Sequence, residues 1–241
     1  MKIGTITKLV RHPVKSFTGE SVVSTNVLKY GLYGDRSHAF IDLTNHQKHL
    51  TITQYPYMAT YKARFTEKES LKKMPSVEII TKDGKVYDWQ DRSLLDELEA
   101  NTNRKLTAIQ YAPDFVPFPA IEEDHLLLIS EQSLEQLEKS VGEKVDERRF
   151  RGNIVYQMGA LDITEEELIG KKIKIGAEVI IQINKFCERC MIITVDPETG
   201  EKKPSILKKI VKENSNHFGL YAAVLHTGQI NVGDTLQLID E

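Results

Sequence analysis

Cysteine is nearly absent from this chain: 241 residues include only Cys187 and Cys190. So few thiols exclude a disulfide framework, and a chain of this length buries an ample core without one. An iron–sulfur cluster draws on about four cysteines, more than the chain has. No Gly-x-Gly-x-x-Gly fingerprint occurs, so no nucleotide-binding turn is marked. Long hydrophobic runs are missing as well. Nothing approaches the roughly 18 apolar residues of a membrane span, and Met1-Lys2-Ile3-Gly4-Thr5 lacks the apolar stretch of a signal peptide. Positive charge is not in excess: 32 basic residues face 35 acidic ones for a net −3, which gives no basic field to draw in nucleic acid. The expectation is a cytoplasmic protein with neither a nucleic-acid nor a membrane partner.

Short apolar runs between turn signals are plentiful. Ile3 to Val10 alternates, and Val77 to Thr81 meets Val86 to Trp89 across an Asp83-Gly84 turn, the pattern of a hairpin. Ser93-Leu94-Leu95-Asp96 reads as a capping-box start for a helix turning Leu94, Leu95 and Leu98 inward. Tyr111 to Pro119 holds three prolines and little periodicity, which places a domain junction there. Beyond it, Leu126 to Ile129 reads as a buried strand, and Ser130 can cap a helix carrying Leu134, Leu137 and Val141 on one face. Asn153 to Tyr156 and Ile173 to Ile181, the latter broken at Gly176-Ala177, add strands. A helix near Ser205 puts Ile206, Leu207, Ile210 and Val211 inward, and Leu236 to Leu238 closes the chain as a last strand. Many short strands and few helices predict a mainly β (α+β) protein with a barrel or sandwich core. No internal repeat is visible.

Cys187-Glu188-Arg189-Cys190 has the spacing of a redox pair or half a zinc site. The next segment, Met191 to Val195, is apolar and β-branched and ends at Asp196-Pro197, so it reads as a short buried strand rather than a helix starting at the thiols. Zinc takes about four ligands, and the next candidates are the well-separated His217 and His226. Elsewhere, three basic turns recur: His12-Pro13-Val14-Lys15-Ser16, Gly34-Asp35-Arg36 and Arg148 to Asn153. Cations beside small polar groups can hold a phosphate or another anion, although Arg148 and Arg149 read as solvated charges.

The succession Pro-Val-Lys-Ser, Gly-Asp-Arg, Phe-Arg-x-Asn-Ile-Val and Cys-x-Arg-Cys-x-x-x-Thr-Val-Asp-Pro-x-Thr-Gly resembles the MOSC family. Within it, the chain is similar to the two-part members that carry an N-terminal MOSC β-barrel domain, such as the mitochondrial amidoxime-reducing component and its bacterial relatives. The resemblance runs through Phe218-Gly219-Leu220-Tyr221 to Gly228 and Asp234. It implies a MOSC N-terminal β-barrel-like domain over 1–112 and a MOSC domain over 113–241.

The family implies a molybdenum cofactor, with Cys190 supplying the protein thiolate to the metal; thiolate sulfur suits a soft metal centre. Lys15, Ser16, Arg36, Arg151 and Asn153 are implied to line the pterin and its phosphate, with Arg189 adding positive charge beside Cys190. Asp196, Pro197 and Gly200 shape the following turn, and Cys187 is a supporting or packed residue. Where relatives have Thr-Ala-Arg-Gln, this chain has Thr51-Ile52-Thr53-Gln54, so Thr53 stands in for an arginine with a neutral donor. Glu122 is the acid nearest to the family's aspartate ahead of the apolar strand, and Glu188 replaces a small residue. The expected activity is reduction of N-hydroxylated or N-oxygenated small molecules. Electrons come from outside, from a flavin reductase with its electron carrier or a ferredoxin-like protein. The alternative is a cofactor carrier or sulfur-transfer module using Cys190 as the carrying thiol; a Cys187/Cys190 dithiol is a further rival.

Overall fold

The structure is a computed structural model that describes residues 1–159 and 163–239. Its centre is a closed seven-stranded barrel. Around the wall the strands run Ile154–Met158, Leu126–Ser130, His217–His226, Val179–Glu188, Lys172–Ile175, Thr235–Ile239 and Lys2–Arg11, and the last pairs back onto the first. Leu126–Ser130 and Ile154–Met158 are parallel; the other neighbours run antiparallel. Closure leaves no open edge. The alternation in Lys172-Ile173-Lys174-Ile175 puts both isoleucines inside at 0% exposure, where they join Ile6, Leu128, Ile181 and Leu220. Each such side chain contributes about 1.5–3 kcal/mol of burial.

The first hundred residues build their own core from Phe17, Phe40, Tyr61, Ile79, Tyr87 and Trp89 among others. The expected hairpin is present: Val77–Ile80 pairs with Val86–Asp88, and Gly84 takes a φ of +80° in the turn. Helix α1 (Arg92–Thr102) packs Leu94, Leu95 and Leu98 inward, but it begins one residue before Ser93 and its N-cap is Asp91. The capping box read at Ser93 is therefore displaced. We propose the boundary between 112 and 113 as the division of these two cores, with Lys2–Arg11 crossing it as a barrel stave.

After a four-residue α2 (Phe118–Ile121), two longer helices lie outside the barrel: α3 (Glu131–Val141) and α4 (Pro204–Glu213). Ser130 Oγ accepts the Ser133 N–H at 3.1 Å, the cap expected from the sequence. Ile206 and Ile210 of α4 are buried, whereas Val211 is 52% exposed and does not share the inner face. Beneath the helices a third cluster joins Ile129, Phe150, Cys187, Ile193 and Phe218. Met191–Thr194 is a 3-10 turn with Cys190 as its N-cap, not a strand. Its β-branched composition is overridden by packing and by the Thr194 Oγ1 bond to the Met191 carbonyl at 2.7 Å.

Candidate functional site

The barrel brings the three basic turns together. The first comes after Lys2–Arg11; the second is tied to it by the Arg36 N–H donating to the His12 carbonyl at 2.6 Å; the third enters Ile154–Met158. Between them and the Cys187–Cys190 segment lies an open cleft. Arg36, Arg151, Asn153, Arg189 and Cys190 all line it, so five residues singled out from distant parts of the sequence share one site. Lys15 reaches the cleft through Glu122, whose carboxylate accepts from its ammonium at 2.5 Å. Ser16 is buried, and its hydroxyl accepts the Ile52 N–H at 3.3 Å, which ties it to the 51–54 loop. Thr53 is exposed in that loop and is not among the residues lining the cleft.

Charge in the cleft is strongly organised. Asp35 is 1% exposed; it accepts the His12 N–H at 2.6 Å and pairs with the Arg36 guanidinium. Burial alone would raise its carboxyl, but Arg36 and the His12 donor outweigh burial and hold it well below the carboxylate range. His12, also buried, is pushed down to about 4 by desolvation and then by Arg151. Arg151 itself is lowered to about 9 by burial and by the facing Arg36. Its Nη1 donates to the Phe17 carbonyl at 2.9 Å, while Nη2 is buried without a partner among the described residues. Asn153 is braced: Oδ1 accepts the Leu127 N–H at 3.1 Å and Nδ2 donates to the Val10 carbonyl at 3.3 Å. Its amide therefore welds two barrel strands below the cleft floor.

The two thiols differ sharply. Cys190 is exposed, whereas Cys187 is buried. Arg189 does not turn toward Cys190, as its place beside it suggested. Its Nη1 donates to Cys187 Sγ at 2.8 Å and Nη2 to the Phe150 carbonyl at 2.8 Å, with the guanidinium 5.4 Å from the Phe150 ring centre. The Tyr221 hydroxyl also meets Cys187, and burial followed by that contact drives the tyrosine upward. Arg189 Nε is buried and unpartnered among the described residues. Glu188 lines the cleft as an exposed side chain.

Arg149 is the clearest departure from the sequence-based expectation. Instead of a solvated charge it is 7% exposed, donating to the Thr194 carbonyl at 3.0 Å and the Asp196 carboxylate at 2.5 Å. It thus holds the turn that succeeds Cys190. Asp196 in turn accepts the N–H groups of Glu198 and Thr199 at 2.9 and 3.0 Å. Gly200 closes the turn at φ +76°, where an added Cβ would stand 2.8 Å from the Tyr57 ring. No local signal separates Arg149 from Arg148, which pairs at the surface with Asp146 and Glu198. Tyr221 and Asp124, both lining the cleft, are not among the site residues read from the sequence, although Tyr221 ends the Phe218-Gly219-Leu220-Tyr221 stretch that carries part of the resemblance.

Among the described residues no group of three or more His, Cys, Asp or Glu side chains is placed to hold a metal. The cleft offers a metal one exposed soft donor, the Cys190 sulfur, so a metal bound there would have to bring its remaining ligands with it. Buried guanidinium N–H groups without partners, Arg151 Nη2 and Arg189 Nε, fit an anionic organic group. The donor set therefore suits a metal carried by an anionic cofactor. No helix among the described residues is long and apolar enough to cross a membrane.

Comparison with known proteins agrees with this construction. The MOSC domain family matches residues 109–237, and the MOSC N-terminal beta barrel domain family matches residues 3–83. The chain is similar to mitochondrial amidoxime-reducing component 1 of Danio rerio, 26% identical over 99% of this chain and 86% of that protein. The Homo sapiens protein of the same name is 32% identical over 48% of this chain and 37% of its own length. Molybdenum cofactor sulfurase of Drosophila mojavensis is 33% identical over 44% of this chain, a match spanning 13% of the sulfurase. Among solved structures, the YUAD protein of Bacillus subtilis covers 97% of this chain and 93% of its own at a TM-score of 0.52 and 12% identity, a likeness of fold alone. With both family matches lying on the barrel and on the core that precedes it, the chain belongs to the MOSC family.

Proposed function

We propose that this protein holds a molybdenum cofactor in the cleft and reduces N-hydroxylated or N-oxygenated small molecules with electrons from a separate donor protein. The observation that carries the reading is the meeting of one exposed thiol, Cys190, with buried guanidinium N–H groups that lack partners among the described residues. Cys190 offers the metal a soft sulfur ligand. Arg36 and Arg151, with Lys15 behind Glu122, supply the charge that retains the cofactor's phosphate. Arg189 spends two of its donors on Cys187 and Phe150, which fixes the segment leading to Cys190 and leaves Nε without a partner among the described residues. When bound, the cofactor would supply the two-electron chemistry that reduction of an N–O bond requires. Similarity to the amidoxime-reducing components supports this substrate class. The external donor, a flavin reductase with its electron carrier or a ferredoxin-like protein, is inferred from a chain with two cysteines and no nucleotide fingerprint. A cytoplasmic location belongs to the same proposal.

The second reading, a cofactor carrier or sulfur-transfer module with Cys190 as the carrying thiol, is favoured by the similarity to molybdenum cofactor sulfurases. The test is expression in a host that makes the cofactor, followed by metal analysis and turnover of benzamidoxime with reduced viologen. The reductase reading expects near-stoichiometric molybdenum, turnover in Cys187→Ala and none in Cys190→Ala. Loaded protein that never turns over favours the carrier, and equal total loss in both variants favours a dithiol.

A further inference from the structure

Lys15 is only 5% exposed, and a buried ammonium must be compensated. Its partners are the Ala120 carbonyl at 2.9 Å and the Glu122 carboxylate at 2.5 Å. Glu122 is held by an uncommon backbone, with φ +127° and ψ −112° at the end of α2, a conformation suited to glycine. Its N–H donates to the Phe118 carbonyl at 2.9 Å, and α2 is anchored through Ala120 and Ile121 against Tyr30 and Val116. The backbone is thus fixed while the Glu122 side chain is 44% exposed and free to rotate outward. Lys15, Arg36 and Arg151 all act on this one carboxylate. Burial works to raise it, yet Lys15 first and then the two guanidiniums hold it below the ordinary range.

We propose that Glu122 is a tethered anion which an incoming phosphate must displace from Lys15, so that it sets a threshold that a phosphate monoester dianion clears and a monoanionic diester does not. The inference rests on the reading of Lys15, Arg36 and Arg151 as a phosphate clamp. A monoanion that replaces the carboxylate exchanges one negative charge for another and gains nothing from the three cations. A dianion adds a second charge at the same place, and that surplus drives Glu122 into solvent. Glutamine at this position keeps the length and an acceptor for Lys15 but removes the competing charge.

The experiment is calorimetric titration, at pH 8, of the full chain purified from a host unable to make the pterin. The probes are phenyl phosphate, a dianion above its second pKa of about 6, and methyl phenyl phosphate, a monoanion. Wild-type protein is expected to prefer the dianion by roughly ten-fold or more, the factor that about 1.4 kcal/mol of surplus attraction gives. Glu122→Gln should bind both probes more tightly by similar factors, so that the monoanion, which gains nothing in the wild type, becomes a measurable ligand, and Glu122→Asp, whose carboxylate falls short of Lys15, should move in the same direction. Lys15→Ala should abolish binding. Loss in Lys15→Ala together with unchanged affinities in both Glu122 variants leaves the clamp standing and overturns the role of Glu122. Absence of phenyl phosphate binding in every form overturns the clamp and the Glu122 proposal together.

Discussion

Mild acid provides a direct measure of how tightly the cationic turns are packed, through His12 and His38. His12 is 3% exposed and His38 1%. His12 lies against Asp35 with Arg151 nearby, and His38 sits edge-on to Trp89 at 4.8 Å between ring centres. Desolvation is the largest cause in both, and each is lowered from 6.5 to about 4. The folded values lie below the unfolded one, so the unfolded chain takes up these protons first as pH falls. Their contribution is fully present above pH 6.5 and drains away as pH drops toward 4. Each shift amounts to about 3 kcal/mol in full, of which roughly 2 kcal/mol per histidine is lost by pH 5. Against a total stability of about 5–15 kcal/mol, the pair alone takes a large share. His49 and His125 are lowered by burial too but are only half-buried, and they add a smaller loss of the same sign. The Asp35 carboxyl, held well below its ordinary range, stays ionised throughout this window and adds no slope. Urea unfolding at pH 7, 6 and 5 reads the effect, and His38→Asn should reduce the pH slope whatever it does to the absolute midpoint. A change of less than about 0.5 kcal/mol between pH 7 and 5 would refute the argument, because neutral buried imidazoles cannot be pH-silent there.

Three further outcomes are expected of the site. Arg149→Ala removes two buried bonds from the Thr194–Asp196 turn; because Asp196 is 30% exposed the loss should be about 2–3 kcal/mol. Scanning calorimetry should register it as a drop of roughly 5–10 °C, and an unchanged midpoint would return Arg149 to the surface role its sequence suggested. Arg151→Ala should weaken cofactor retention about ten-fold or more, one charge-assisted bond's worth; molybdenum retained after dialysis at the wild-type level in both Arg151→Ala and Arg36→Ala would place the anion elsewhere. Purified protein given NADH or NADPH alone should leave benzamidoxime unreduced, whereas reduced viologen or a flavin reductase with its carrier should drive turnover; steady reduction by the nicotinamide alone in reductase-free preparations would reveal a hydride site.

Periodicity made the barrel staves legible. Ile173 and Ile175, Leu126 to Ile129 and Ile154 to Tyr156 are runs whose side chains have one place to go, and Ser130 marked its helix because a cap is a local bond. The site's five cleft residues could be named from sequence because each stands in a short motif. The features that stayed hidden depend on contacts far along the chain. Arg149 and Arg148 are adjacent and chemically identical, and only the turn around Asp196, some forty-seven residues on, makes one buried. The direction of Arg189 is set by Phe150 and Cys187 rather than by its neighbour Cys190. Met191 to Val195 had strand composition, but α4 and the 147–150 turn pack against it and leave no sheet edge to join. Val211 fell one step outside the inner arc of α4, an error of angle rather than of element.

Backbone conformation unites the three basic turns in a way that composition could not show. Ser16, Arg36 and Arg151, one from each basic turn, have φ values of +72°, +54° and +57°. None is glycine, so each departs from the conformation its Cβ prefers, at a cost of about 1–3 kcal/mol apiece in an unsupportive setting. That cost recurs at one position in every turn, and surrounding bonds sustain it: the Arg36 N–H is held by the His12 carbonyl at 2.6 Å and the Arg151 N–H by the Arg148 carbonyl at 3.2 Å. A left-handed residue reverses the chain within one step and throws its side chain away from the strand it leaves. Two of the three thereby deliver guanidiniums to the same cleft wall, where Arg36 depresses Arg151. Packing alone would keep such like charges apart. Their convergence on strained backbone, next to donors without partners among the described residues, is an arrangement that an anion bound between them would relieve.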